Sequence, residues 1–396
     1  MIKRLLLLAP AAASAQIIYA TSYNNHALTT LNLDVAKGSL AKLGAEKTDC
    51  GSEPTWLTLD AANSVLYCLN EGWGGAASIT SYKASAASGA LETLDILPVL
   101  KSPVSATLFG ANNSRLAVAY YDTSSFGTFS VSNPKDLILL GQQNYTLASP
   151  GPVPDRQDAP HLHDAVLDPT GKFVLVPDLG SDLLRLFKVD GSALAASAAG
   201  VVKTPAGAGP RHAAFAVSGR GANAKTYLYS FNELSNSVTG YSVVYKGDGT
   251  PEFTQLFDIP SHGPGTSVPA GTKAAEIEVS PDQKFVILSS RGENSLDIPA
   301  FDGSNSTIKS DPLVTFSIDA ATGKLTLVQV APAGGRNPRG FSLNKRGDLL
   351  VSALQDDNRV VVYQRDVRSG KLGKVVASAT VGEGANNGPN YALFYE

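Results

Sequence analysis

The chain has 396 residues, of which 43% are hydrophobic and only 17% charged, with 37 Gly, 23 Pro and two Cys. That length is ample for a large core, and so many turn formers with so little charge disfavour a helix bundle. A formal charge of −3 with no basic run excludes a nucleic-acid surface.

At the N-terminus, Lys3 and Arg4 precede a short apolar stretch, 5–13, and Ala13-Ser14-Ala15 forms a small-residue cleavage site. This is the pattern of a secretory signal peptide over 1–15, and its apolar part is too short to span a bilayer. A secreted, extracellular product with no membrane partner is expected, organised as one domain over 16–396. Three sequons, at Asn112, Asn144 and Asn305, fit that route as glycosylation acceptors. Cys50 and Cys68 either bridge, as an exported chain allows, or stay as two buried thiols. No CxxC or HExxH spacing is present, so no metal site is expected.

Strand signals follow at 17–22 and 28–33, and then a unit begins that repeats. It is clearest at 160–190. Pro160-His161-Leu162-His163 leads into Ala165-Val166-Leu167, which stops at the turn Asp168-Pro169-Thr170-Gly171. Phe173-Val174-Leu175-Val176 follows as a buried strand, then Pro177-Asp178-Leu179-Gly180, then the alternating run 184–189. The same grammar starts at Pro54, Pro103, Pro210, Lys273 and Pro338, at intervals of about fifty to sixty-five residues, usually with a fourth, more polar strand. Two insertions interrupt it, at 141–160 and at 296–312. The segment 390–395 is a lone first strand, whereas the N-terminal strands are later strands with no first one. Joined, they complete a seventh unit and close a ring. The expected fold is an all-β, seven-bladed propeller with four antiparallel strands per blade.

Each unit holds two slots filled by polar residues where core is the norm: His163 and Asp178, Arg211 and Glu233, Glu276 and Arg291, Arg339 and Gln355. Trp56 and Glu71, and Tyr121 and Asp122, fall at about the same places. Propeller geometry brings such positions to the ring axis on one face, because equivalent residues of a repeat share one surface. Of the five histidines, His161, His163 and His212 lie there. Arginines beside His and Glu suit an anionic or oxygen-rich small molecule, with Arg as carboxylate clamp. No G-x-S-x-G motif supports a serine nucleophile.

Five stretches carry a family resemblance: PHLHDAVLDPTGKFVLVPDLGSD at 160–182, GPRHAAF at 209–215, YSFNELSNSV at 229–238, AAEIEVSPDQKFVILSSRG at 274–292 and NPRGF at 337–341. In order and at blade spacing, they resemble the seven-bladed propeller lactonase family, which includes bacterial 6-phosphogluconolactonase and fungal carboxy-cis,cis-muconate cyclase. The resemblance covers essentially the whole chain after the leader. It implies catalytic roles for His163, Arg211, Glu233 and Arg291. Arg211 followed by His212, with Asp178-Leu179-Gly180 and Glu276, looks like the gluconolactonase branch; the cyclase branch tends to carry Trp after that Arg. Ser290 stands where the family usually has Asn.

The expected function is an extracellular, cofactor-free lactonase, a monomer opening glucono-δ-lactone or cellobionolactone. His161, Asp178, His212, Glu276, Arg339 and Gln355 would complete substrate binding. Export argues against the phosphorylated lactone, a cytosolic intermediate. The alternatives are a carboxy-cis,cis-muconate cyclase and a non-catalytic propeller binding carbohydrate or protein.

Overall fold

The structure, a computed structural model, describes residues 16–191, 193–195 and 200–396. The leader assigned to 1–15 lies outside them. Seven antiparallel sheets form the blades of a propeller, here numbered one to seven in chain order. Blade one closes the ring: Gln16–Ser22, Ala27–Asp34 and Ser39–Lys42 are its outer three strands, and Pro389–Phe394 is its innermost. Ile18 pairs with Phe394 and Ala20 with Ala392, so the last strand of the chain is hydrogen-bonded to the first. Apolar side chains such as Ile18, Val351, Val360 and Phe394 fill the space between blades seven and one.

In blades two, four, six and seven, the hairpin between the first and second strands is closed by a side chain at its start, Asp60, Asp168, Ser280 and Asn344. In blade four, Asp168 accepts the backbone N–H groups of Thr170, Lys172 and Phe173 at 2.8–3.1 Å. Short acids and amides at such turns satisfy backbone donors that the sheet leaves free. Asn344 does the same for Leu349 at 3.0 Å.

Every blade breaks register where its innermost strand begins. Pro210 pairs with Asn232 and His212 with Phe231, which leaves Arg211 as the extra residue of a β-bulge. The same step singles out Thr55, Val104, Arg339 and Asn390. A bulge adds one unpaired residue and re-aims side chains, so two consecutive residues of one strand turn towards the axis.

Blade four is the least regular. Its innermost strand is only Val166–Leu167, with an isolated bridge from Leu162 to Asp178. Asp164 explains the gap. Its carboxylate accepts the N–H of Ala165 at 2.8 Å and of Ala213 at 3.2 Å, and the Ser105 hydroxyl at 2.6 Å. Side-chain bonds here take the place of the ladder.

Cys50 and Cys68 are joined in a disulfide within the buried shell of blade two. The insertion before blade four is pinned by Gln157, whose amide donates to the Leu179 carbonyl at 3.0 Å. The second insertion contains a hairpin, Leu296–Pro299 with Thr307–Ser310, and Asn305 in its turn. Asn112, Asn144 and Asn305 are all exposed.

Candidate active site

The registers arrange the axial residues in three rings. The bulge residues Thr55, Val104, Arg211, Arg339 and Asn390 share the first with His163 and Ala275. The residues after them, including Trp56, Asp164, His212, Glu276, Gly340 and Tyr391, form a second ring, deeper in the channel. The third sits where the second strands end and holds Tyr23, Glu71, Tyr121, Leu179, Glu233, Arg291 and Gln355.

This order corrects three slot assignments. Asp178 pairs with Leu162 as Asn232 pairs with Pro210, so the counterpart of Glu233 is Leu179. One residue of register reverses the direction of a strand side chain. Asp178 accordingly faces away from the cavity, fully buried, in a 2.7 Å ion pair with Arg185. Glu276 belongs with His212 in the deeper ring, and Ala275 takes the slot expected of it. In blade two that slot is Thr55, not Trp56.

An open cavity of about 360 Å³ lies over the first and third rings, lined by Glu71, Trp73, Val104, Tyr121, Asp122, Arg156, His163, Glu233, Lys273, Arg291 and Arg339. A void of about 10 Å³ beneath it touches Arg211, His212 and Glu276 as well as His163 and Arg339. Thus His163, Glu233, Arg291 and Arg339 reach the cavity, whereas Arg211, His212 and Glu276 support it from below.

Glu233 is the electrostatic centre. Its carboxylate meets Arg156 at 2.7 Å, Arg291 at 2.9 Å and Arg211 at 3.1 Å. Burial alone would favour the neutral acid, but Arg291, Arg211 and Arg156 outweigh it and lower its pKa to about 2. A carboxylate held so low is a poor proton shuttle and a strong anchor for guanidiniums. Burial, with Arg291 alongside, lowers Arg211 to about 9, still cationic at neutral pH. Arg211 also donates from Nη1 to the Ala275 carbonyl at 2.6 Å, so both of these contacts tie it to the scaffold.

Arg339 differs from the other three. It forms no ion pair among the described residues, and its nearest aromatic contact is the Tyr23 ring, 5.7 Å from the guanidinium. Burial disfavours its charge, but Tyr23 and Glu71 more than compensate and raise its pKa.

His163 is 6% exposed, and neither ring nitrogen hydrogen-bonds to another described residue; Nδ1 is buried without a partner. Its ring sits edge-on to Tyr121, with centroids 5.4 Å apart, and 5.2 Å from the His212 ring. Burial first, then Arg211, His212 and Arg339, pushes its pKa well below the usual histidine value. The imidazole is therefore neutral at physiological pH, with a lone pair available.

Below it, His212 Nδ1 lies 2.9 Å from Glu276 Oε1. Burial pushes Asp164 up, and burial with the nearby Glu276 pushes Glu278 up to about 8. These acids hold the floor rather than the cavity.

His161 stands outside the lining. Its ring stacks on Tyr121 at 4.2 Å, and its nitrogens contact the Tyr121 carbonyl at 3.1 Å and Asp158 at 3.0 Å. Gln355 occupies the third ring but donates to Asn387 at 3.1 Å. Ser290 donates to Glu293, so it offers no free hydroxyl beside Arg291. Sequence reasoning assigned no role to Arg156, Trp73, Lys273 or Tyr23. The signal for Arg156 was a lone cation in the acidic insertion directly ahead of the His163 unit. Among the described residues, no three His, Cys, Asp or Glu side chains are placed to hold a metal ion.

The family model described as lactonase, 7-bladed beta-propeller, matches residues 17–386. The chain belongs to that family. A relative from Arthroderma benhamiae, named as a probable 6-phosphogluconolactonase, is 33% identical over 360 residues, 90% of this chain and 84% of its own. A 6-phosphogluconolactonase of Formosa agariphila is 30% identical over 66% of each chain. Among solved structures, a periplasmic gluconolactonase of Pseudomonas aeruginosa superposes with a TM-score of 0.76 at 25% identity, covering 96% of this chain and 99% of that one. In this lactonase-family propeller, the arginine-rich cavity with its neutral histidine is what the ring of blades assembles.

Proposed function

We propose that the protein is an extracellular lactonase that opens unphosphorylated aldonolactones such as glucono-δ-lactone or cellobionolactone. The observation that carries this reading is a neutral His163 in the same cavity as Arg339, where among the described residues the imidazole has no hydrogen-bond partner and the guanidinium no ion-pair partner. Lactone opening needs both functions at once. A base must take a proton from water, and a cation must receive the negative charge that develops on the carbonyl oxygen.

His163 accepts a proton as water adds to the carbonyl, and Arg339 and Arg291 stabilise the oxyanion. When the tetrahedral intermediate collapses, the ring C–O bond breaks, and the imidazolium returns its proton to the departing ring oxygen. The carboxylic acid so formed loses its proton to solvent, and the carboxylate is left facing the arginines. Glu233 holds Arg291, Arg211 and Arg156 in place and leaves proton transfer to His163. The relatives named for lactone hydrolysis support the reaction, and the periplasmic gluconolactonase supports the unphosphorylated substrate. The leader pattern at 1–15 and the exposed sequon asparagines support export.

The test follows glucono-δ-lactone opening by proton release against the spontaneous rate. Rapid opening by wild type and its loss in His163→Ala are expected. Equal, slow hydrolysis by both proteins sinks the proposal.

A further inference from the structure

The hairpin at the end of the second strand differs in blade two. In blades one, three, four, five and seven it is a four-residue turn ending in a left-handed residue: His26, Ser124, Asp182, Asn236 and Asn358. In blade two the connection is longer, running over 71–76, and it carries Trp73. Trp73 is 47% exposed, yet it lines the cavity.

Trp73 offers a large apolar face inside a charged cavity, and it is held in position. Its indole N–H donates to Glu71 Oε2 at 2.8 Å, and its ring packs on Tyr23 at 4.7 Å. Gly72 has φ +70°, and a Cβ there would meet the Ala77 backbone nitrogen at 2.4 Å, so the loop folds back only with glycine. The result is a rigid aromatic plate at the mouth, above a floor of buried charge.

A six-membered lactone with its carbonyl towards His163 points the opposite ring position outwards, towards the mouth. We infer that Trp73 is a stacking platform for a second sugar on that position, which makes disaccharide aldonolactones the preferred substrates. This rests on the lactonase reading above. The apolar face of a pyranose would cover the exposed indole, while its hydroxyls stay in contact with water.

The experiment compares kcat/KM for cellobionolactone and glucono-δ-lactone in wild type, Trp73→Ala and Trp73→Phe. Wild type should favour the disaccharide. Trp73→Ala should lower that preference about tenfold, through KM, as expected for the loss of one apolar contact face. Trp73→Phe, which keeps a ring without the N–H, should retain most of it. An unchanged ratio in Trp73→Ala overturns the inference. Binding gives an independent measure even if neither lactone turns over, a result that would count against the hydrolysis reading alone. Titration of cellobionate and gluconate should show tighter disaccharide binding that Trp73→Ala removes; equal binding of the two acids overturns the platform.

Discussion

Glu233 and Arg291 are joined through Oε2 and Nη2 at 2.9 Å, in a cluster where Arg156 and Arg211 hold the same carboxylate. One anion thus orders three cations from blades five and six and from the insertion before blade four. Glu233→Gln would leave those guanidiniums uncompensated. We expect a loss of about 3 kcal/mol at neutral pH, with activity down roughly a hundredfold as Arg291 loses its anchor. The folded pKa, about 2, lies below the ordinary 4.5, so this stabilisation is complete above that value and is lost as pH falls towards 2. Denaturant unfolding of both proteins at neutral and acidic pH checks it. The gap should narrow on acidification; a constant gap would remove the charge from the explanation.

The low pKa of His163 sets the pH profile. A base must be deprotonated, and its folded pKa lies well below 6.5, so kcat/KM should stay flat as pH falls through that value and decline only in stronger acid. Rates corrected for spontaneous opening measure this. An acidic limb centred near the ordinary histidine value would mean that another group, or a differently placed His163, is the base. His163→Asn should cost about 10²–10⁴ in kcat, with little change in stability.

Arg339 and Arg211 should separate function from scaffold. Arg339 has no ion-pair partner among the described residues and lines the cavity, so Arg339→Gln should lower kcat/KM by roughly a hundredfold with a small change in Tm. Arg211 is spent on Glu233 and the Ala275 carbonyl, so Arg211→Gln should lower Tm clearly along with activity. Thermal unfolding beside steady-state kinetics reads both. A large loss of stability in Arg339→Gln would place it with the scaffold.

Gly340 packs tightly against the ring-closing strand. A Cβ at this position would lie 2.5 Å from Tyr391 Cδ2 and 2.7 Å from the Asn390 carbonyl oxygen. The clash includes the backbone of the ring-closing strand, which cannot simply rotate away. Gly340→Ala should destabilise the protein by about 1–3 kcal/mol and disturb the Trp56–Tyr391 stack. Tryptophan fluorescence during denaturant unfolding reports both effects.

Much of this protein is determined by its sequence alone. The blade count, the closure of the ring by residues near both termini, and the convergence of His163, Arg211, Glu233 and Arg291 follow from a repeated strand-turn-strand pattern. That pattern is local, and repetition carries it round the axis. Tertiary structure alone decided which residue of each strand end faces the cavity. A bulge at each blade entry shifts register by one, and one residue is enough to send Asp178 to Arg185 while Leu179 takes its place. The same holds for side chains brought in by irregular loops. Arg156 and Trp73 have no repeat to announce them, and only the path of each loop places them at the cavity. The division between committed and free cations is likewise three-dimensional: Arg211, Arg291 and Arg339 look alike in the chain, and the position of the Glu233 carboxylate separates them.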